Sequence, residues 1–418
     1  MNEELEIDVL GFWWIPEHSE TKWPGRLTFS KSEGGILEIF QNEQHKEFEK
    51  HKTYQAIRGS ANGEGFTLYR ATLYNSTQNQ PNGISYYRLK SDTIVAGQFC
   101  LENEEDFQFS ELGVKLSNIN EWFRQLKAYE VKDVSDKNTL LSTTIQYSSE
   151  AITFSINDLL EGRISTGFNL HHSINDFNAS KQLWFNIISK DKSLIPYETL
   201  MKKINFLRVF FSVVLGGKCV YEQLRIERSD LKSVYNIGRL YSRNSFGPPS
   251  KGYVLFELED LENRLGEVIE KWLHICEEMP EVINLLYTTY TAKPIYDYHF
   301  RESYIALEGL YHWRLEKDTP ENVISPLVQP FMHISKFGEI IGDYKKWWKV
   351  AKNNRHYQMH LNKIKYANDI VSTSDLVKLM RKMEAIILCH ILKELGFSDG
   401  EINQVFTKVE KRFIFNFF

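Results

Sequence analysis

The sequence predicts an α+β chain: a β-rich, sandwich-like N-terminal region followed by an antiparallel helical bundle. Three observations carry this reading. Runs of β-branched and aromatic residues cut by glycine turns fill the first part of the chain, and that mix favours sheet. From Leu255 onward apolar residues recur every three or four positions, the period of helices. At 418 residues, 42% apolar and 25% charged, the chain is globular and too long for a single ordinary core.

Candidate strands are 36–40, 54–57, 66–74, 86–89, 94–99 and 107–109, with Gly34-Gly35, Gly59, Asn62-Gly63, Asn82-Gly83 and Gly97 as punctuation. Such spacing suggests a sandwich or barrel. After Trp122 the chain turns polar and charged, through Lys132-Asp133 to Asp136-Lys137-Asn138, and reads as a linker. A mixed segment follows, with strands at 143–147, 152–156, 183–188 and 220–226 and a helix over 197–211. The glycine-containing stretch 238–252 lacks phosphate-loop spacing and reads as a connector.

Beyond it, Leu258, Leu261, Leu265, Val268, Trp272 and Cys276 form one apolar helical stripe. Further helices are expected over 281–290, through Phe300, Tyr304, Leu307 and Tyr311, over 327–341, from near Asn353, and over 375–395. Ser374 is the expected N-cap of that last one and Gly396 lies just past its end. Ser398 and Glu401 have capping-box spacing for a final helix. The domains so predicted are 1–130 (β-rich), 140–250 (mixed) and 253–418 (helical, with no strand signal).

Several function classes drop out. A net charge of −5 argues against a protein that coats nucleic acid with its whole surface, while leaving room for a local basic patch. Cys100, Cys219, Cys276 and Cys389 lie far apart with no CxxC pair, so reduced thiols are expected rather than a disulfide framework or zinc cluster. The N-terminus, from Met1 to Asp8, is acidic and lacks the apolar core of a signal peptide. Apolar runs such as 210–215 are far shorter than a membrane span. A cytoplasmic protein without membrane contact, cofactor or metal is the expectation.

One cluster carries chemistry: Asn353-Asn354-Arg355-His356-Tyr357-Gln358-Met359-His360. Lys336, Lys345, Lys346, Lys349, Lys352, Lys363 and Lys365 surround it against only Glu339 and Asp343, a local field that suits a phosphate backbone. Lys349, Lys352, Asn354 and Lys363 are the expected RNA contacts. Trp347 and Trp348 stand upstream, where a ring can stack on an unpaired base. If Asn353 or Asn354 caps a helix, Arg355 falls in its first turn, where free N–H groups add to anion binding.

RNA carries its own nucleophile, the 2′-hydroxyl. Cutting it takes a group that removes that proton, one that protonates the leaving oxygen, and a cation on the phosphate. Histidine titrates near working pH, which suits the proton transfers. Arginine stays charged and donates in a fork, which suits the phosphate. Arg355 and His360, with His356 as a further imidazole, supply these parts. From residue types alone, however, a solvated lysine-rich face is the commoner explanation of such a helix.

Arg355 followed by a polar residue, with His360 five positions on, resembles the Rx4-6H signature of HEPN domains, helical bundles that often act as metal-independent RNases. The stretch 304–312, with Glu308 embedded, resembles that family's earlier helix. At the other end, 11–16, 24–29, 66–69 and 97–99 resemble the N-terminal domain of the ApeA family, which joins such a β-rich domain to a C-terminal HEPN domain. The resemblance implies an endoribonuclease in defence against phage. Its N-terminal region would sense a trigger, such as a phage protein, and release cleavage of host RNA, with tRNA anticodon loops as the implied target. It also implies a homodimer in which two bundles line one cleft. Many HEPN motifs carry Asn or Asp after the arginine; His356 stands there instead, which leaves its role open.

Weaker candidates complete the survey. His171-His172 reads as a loop pair rather than a metal site, and Trp13-Trp14 as sheet packing rather than a sugar platform. Glu308 either orients an active-site group or satisfies a neighbouring helix. His312 reads as surface, and the closing aromatic run 413–418 as packed on the bundle or as a dimer contact. Two rival functions remain: a non-catalytic nucleotide- or RNA-binding protein whose β domain captures a ligand, and a glycan-binding module using Trp13 or Trp14.

Overall fold

The computed structural model describes residues 5–41, 48, 52–77, 85–98, 101–124, 129–136, 139–147, 151–173, 176–231, 237–243, 249–250, 252–261, 263–291, 296–315, 323–360 and 370–414. Side chains are described throughout these except at 41, 85, 129–147, 168–180, 296, 315, 358–360 and 414. The chain divides into a sheet-rich unit, 1–205 with 220–248, and a helical unit, 206–219 with 249–418.

The sheet-rich unit begins with β1 (Ile7–Trp14), β2 (Trp23–Ser30), β3 (Gly34–Gln41), β4 (Thr53–Ala61), β5 (Glu64–Thr77), β6 (Ser85–Ser91) and β7 (Thr93–Ala96). Antiparallel pairing runs β5-β4-β1-β2-β3-β6 and returns from β6 to β5, so six strands close a barrel. Of the two sheet architectures the turn spacing allows, this part adopts the barrel. Closure removes exposed edges and encloses Trp13, Leu27, Leu37, Ile57, Leu68 and Leu89, all wholly buried. Glycines make room for the indole. A Cβ at Gly59 would stand 2.0 Å from the Trp13 ring, and one at Gly25 would stand 2.9 Å from it. Strand β5 changes partners at Arg70, pairing with β7 before it and β6 after it. Arg70 takes a left-handed backbone there, with φ of 49°.

The sheet continues through β9 (Glu111–Leu116), β12 (Ala151–Ser155), β13 (Leu160–Ser173), β14 (Asp176–Ser189), β16 (Tyr221–Glu227) and β17 (Ile237–Ser242), in the order β12-β13-β14-β9-β16-β17-β7. Two small ladders stand apart: β8 (Gln108–Phe109) with β15 (Ile195–Pro196), and β10 (Tyr129–Asp136) with β11 (Thr139–Tyr147). Much of the polar stretch read as a linker is therefore strand β10, paired antiparallel with β11, and the start of the 238–252 connector is strand β17. Polar residues hide both strands from a reading by hydrophobicity. His171 and His172 lie in the β13–β14 ladder rather than a loop.

Helix α1 (Tyr197–Val214) contributes its second half to the helical unit. The rest of that unit is α2 (Leu265–Glu278), α3 (Pro280–Thr291), α4 (Tyr296–Leu315), α5 (Ile324–Val328), α6 (Ser335–Ile341), α7 (Tyr344–His360), α8 (Thr373–Glu394), α9 (Asp399–Lys408) and α10 (Glu410–Ile414). No strand occurs among its described residues. Three boundaries differ from expectation. The helix over 327–341 is split by a 3₁₀ turn at Gln329–Phe331, where Pro330 cannot donate a helical hydrogen bond. The helix expected from Asn353 starts at Tyr344, where the Asp343 carboxylate accepts from the Lys346 N–H at 3.2 Å. Helix α8 is capped by Ser372, not Ser374. The Ser398–Glu401 capping box forms as its spacing predicts.

Helix α8 is the centre of the unit, with every residue from Met383 to Leu392 buried. It also buries charge: Glu384 accepts from Arg381 at 2.6 Å and lies 4.0 Å from Arg412, whose guanidinium covers the Tyr290 ring at 3.6 Å. Phe413 packs on Phe406; 415–418 lie outside the described residues. No helix among the described residues is long and apolar enough to cross a membrane.

Candidate functional site

The site forms where α7 meets α4. On α4, Tyr304 and Glu308 are four apart and share a face; on α7, Trp348 and Arg355 are seven apart and share a face. The Tyr304 and Trp348 rings stack in parallel, 4.8 Å between centroids and 5° between planes. The Arg355 guanidinium lies over the Tyr304 ring at 5.3 Å, and its Nη2 is 3.7 Å from a Glu308 carboxylate oxygen.

Magnitudes decide which partner holds the arginine. A half-exposed ion pair at this distance contributes at most about 1 kcal/mol and is screened by salt. A cation over a largely buried ring contributes about 0.5–2 kcal/mol and also fixes the plane of the fork. The ring is the main support. At 3.7 Å the carboxylate pairs by charge rather than by a hydrogen bond, so the fork's donors stay available to a phosphate. The Arg355 side chain is 26% exposed, enough to be reached from solvent. Burial, reinforced by Glu308, pushes the Tyr304 hydroxyl up to about 12, so it stays protonated beneath the arginine.

Lys345, Lys346, Lys349 and Lys352 are exposed along α7, while His356 is half-buried. Lys336 leaves the basic set, since Glu339 at 2.7 Å and Glu410 at 3.0 Å neutralise it. Asn354 is buried at 1% exposure: its amide donates to the Val350 carbonyl at 2.8 Å and accepts from the Val371 N–H at 3.2 Å. It ties α7 to the segment entering α8 and is not placed to touch RNA. Because α7 starts at Tyr344, Arg355 is three turns inside the helix and gains nothing from free N–H groups at its start.

Trp347 and Trp348 are likewise not base platforms. Both are nearly buried, Trp347 donating to the Ile341 carbonyl and Trp348 covered by Tyr304. The backbone of His360 is the last residue of α7; its side chain, and all of Lys363 and Lys365, lie outside the described residues. Glu308 faces Arg355, which favours the orienting role, and His312 is exposed. Sequence reading missed the support given by Tyr304 and Trp348. The signal was present: an aromatic four before Glu308 and another seven before Arg355. Among the described residues no group of three or more His, Cys, Asp or Glu is arranged to hold a metal.

A β-barrel region followed by a helical bundle, with Arg355 five positions before His360 in sequence, is the arrangement that the HEPN resemblance implies. The chain belongs to the ApeA family: residues 8–272 match the model of ApeA N-terminal domain 1, and residues 314–401 match that of the Apea-like HEPN domain. The HEPN match contains Arg355, His356 and His360, while Tyr304 and Glu308 precede it. No curated protein and no solved structure matches the chain.

Proposed function

We propose that the protein is a metal-independent endoribonuclease of phage defence, with Arg355 and His360 as its working pair. HEPN domains are commonly RNases, and the observation that carries the reading is the reachable Arg355 fork, propped on the Tyr304–Trp348 stack beside a row of exposed lysines. In the proposed reaction His360 takes the 2′-hydroxyl proton. The 2′-oxygen then bonds to phosphorus, the bond to the 5′-oxygen breaks, and an imidazolium returns a proton to that leaving oxygen. Arg355 holds the extra negative charge on the phosphate. Lys349, Lys352 and Lys363 guide the RNA, and Asn354 serves as an anchor of α7.

Arg355 and His360 are five apart in sequence, and positions five apart on an α-helix stand on different faces. Two facing copies of the motif, in a homodimer, would supply both an acid and a base. His356, four before His360, fits an assisting role. The region before about residue 250 (in two parts, 1–130 and 140–250) is assigned sensing of a phage-derived trigger, and tRNA anticodon loops are the proposed target.

The test is cleavage of RNA by the purified full-length protein in EDTA, with end-group analysis. A 2′,3′-cyclic phosphate or its hydrolysis product is expected, and loss of about a thousandfold or more in Arg355→Ala and in His360→Ala. A 5′-phosphate product, or undiminished cleavage by either folded variant, would overturn the assignment.

A further inference from the structure

Strands β16 and β17 pair from Glu227–Ile237 only as far as Leu224–Leu240, although β16 begins at Tyr221 and β17 runs on to Ser242. Past that last pair each strand keeps its outer neighbour. Strand β16 stays on β9 through Gln223–Lys115, and β17 stays on β7 through Tyr241–Ile94 and Ser242–Thr93. A register shift between Tyr221 and Gln223 marks where β16 bends away. The sheet is thus split between two of its central strands, and the split opens into a cleft of about 870 Å³ within the sheet-rich unit. That volume lies in the range of ligand sites.

The walls select the ligand class. Trp184, Tyr221 and Tyr241 line the cleft, with the Arg225 guanidinium over the Trp184 ring at 5.1 Å and that of Arg239 over the Tyr241 ring at 5.9 Å, so apolar contact is offered by the remaining sides of these rings. Its three cations are already matched: Arg225 by Glu111 at 3.0 Å, Arg239 by Glu64 at 2.7 Å, and Lys31 by Glu6 at 2.8 Å. No surplus positive charge is left there for a phosphate chain, which disfavours a nucleotide. What the cleft offers instead is strand edge. Glu222 and Gln223 are not paired across the split with Tyr241 and Ser242. The Glu222 carbonyl accepts from Lys31 Nζ at 3.1 Å, an ammonium standing where a neighbouring strand would place an N–H. Gln223 and Ile237 are exposed at the cleft.

We propose that this cleft binds an extended, uncharged peptide rich in apolar side chains, which adds as a strand to the inner edge of β16. Main-chain hydrogen bonds to that edge provide the affinity, and alternate side chains rest on Trp184 and Tyr241. The peptide's N–H replaces the Lys31 ammonium at Glu222. The proposal stands apart from the nuclease reading, and its test involves no RNA.

The test pans a displayed library of random peptides about ten residues long, the reach of one strand, on the full chain. Gln223→Trp, which fills the cleft from an exposed position, is the counter-target. Synthetic versions of the enriched peptides are then measured for binding, with Ile237→Asp as a second exposed variant. The expected result is peptides that lose about tenfold or more in affinity on both variants, and a scan of backbone N-methylation that costs about tenfold at every second residue only. Three results would each overturn the proposal: no peptide that discriminates wild type from both variants, a flat methylation scan, or displacement of the peptide by ATP.

Discussion

The chain contains two Trp-Trp pairs, one in each unit, and secondary structure gives them different fates. In β1 neighbouring side chains point to opposite faces. Trp13 is wholly buried inside the barrel, while Trp14 lies outside beneath Lys22 and Arg58. In α7 neighbours are about 100° apart, and Trp347 and Trp348 both turn inward. The barrel uses its indole as filler, shut in by Gly25 and Gly59; the bundle uses one to hold a tyrosine ring beneath a guanidinium. The dipeptide does not decide its own role. The period of the backbone that carries it does.

The contrast can be broken at several points. Trp13→Ala removes the filler, and the sheet-rich unit should lose about 3–5 kcal/mol of unfolding free energy, read by denaturant unfolding of the full chain. A loss below about 1 kcal/mol would mean that the barrel does not depend on this indole.

The helical unit should respond to acid through His390, which donates to the Leu327 carbonyl and is held down to about 4 by burial. Its folded pKa lies below its unfolded value, so the unfolded chain binds more protons in between. Stability is full above about 6.5 and falls as pH drops towards 4, by up to about 3 kcal/mol. Amide exchange in α8 should report this loss, and His390→Gln should flatten it; an equally steep profile in the variant would assign the dependence elsewhere.

Tyr304→Leu keeps apolar volume and removes the ring. RNA cleavage should fall about tenfold to a hundredfold with α8 protection unchanged, whereas Tyr304→Phe should be near neutral. Equal loss in both variants would shift the role from ring to hydroxyl. The smallest effect belongs to Glu308→Gln, worth about 1 kcal/mol or less in cleavage and vanishing at high salt. A salt-independent loss would make Glu308 more than a weak counter-ion.

The legible parts of this protein were those set by local pattern. Asn62-Gly63 announced the turn between β4 and β5, and Leu200, Ile204, Leu207 and Phe211 announced a helix. Hidden parts depended on partners distant in sequence. Nothing near Ser85 signals that β6 closes the barrel onto β5, and the polar Lys132-Asp133 gives no sign that β10 pairs with β11 in a ladder apart from the main sheet. In the site, Arg355 was legible as a cation but its support was not, because Tyr304 lies some fifty residues upstream on another helix. Asn354 looked like a polar contact for RNA; burial makes it a tie between α7 and Val371.

The division of the chain also constrains how it can be made and cut. Residues 206–219 belong to the helical unit but precede the last strands of the sheet-rich unit. Phe210 packs on Trp272 at 5.4 Å, yet leaves the ribosome about sixty residues earlier. At about 5–20 residues per second its apolar face waits several seconds for that partner. The same weave bears on proteolysis. A single nick near Ser250 would put Trp272 and Tyr287 on one fragment and Phe206 and Arg208, which they contact at 2.8 Å and 2.7 Å, on the other. A cut at the connector alone therefore does not free a complete helical unit, because residues 206–219 stay on the chain of the sheet-rich fragment.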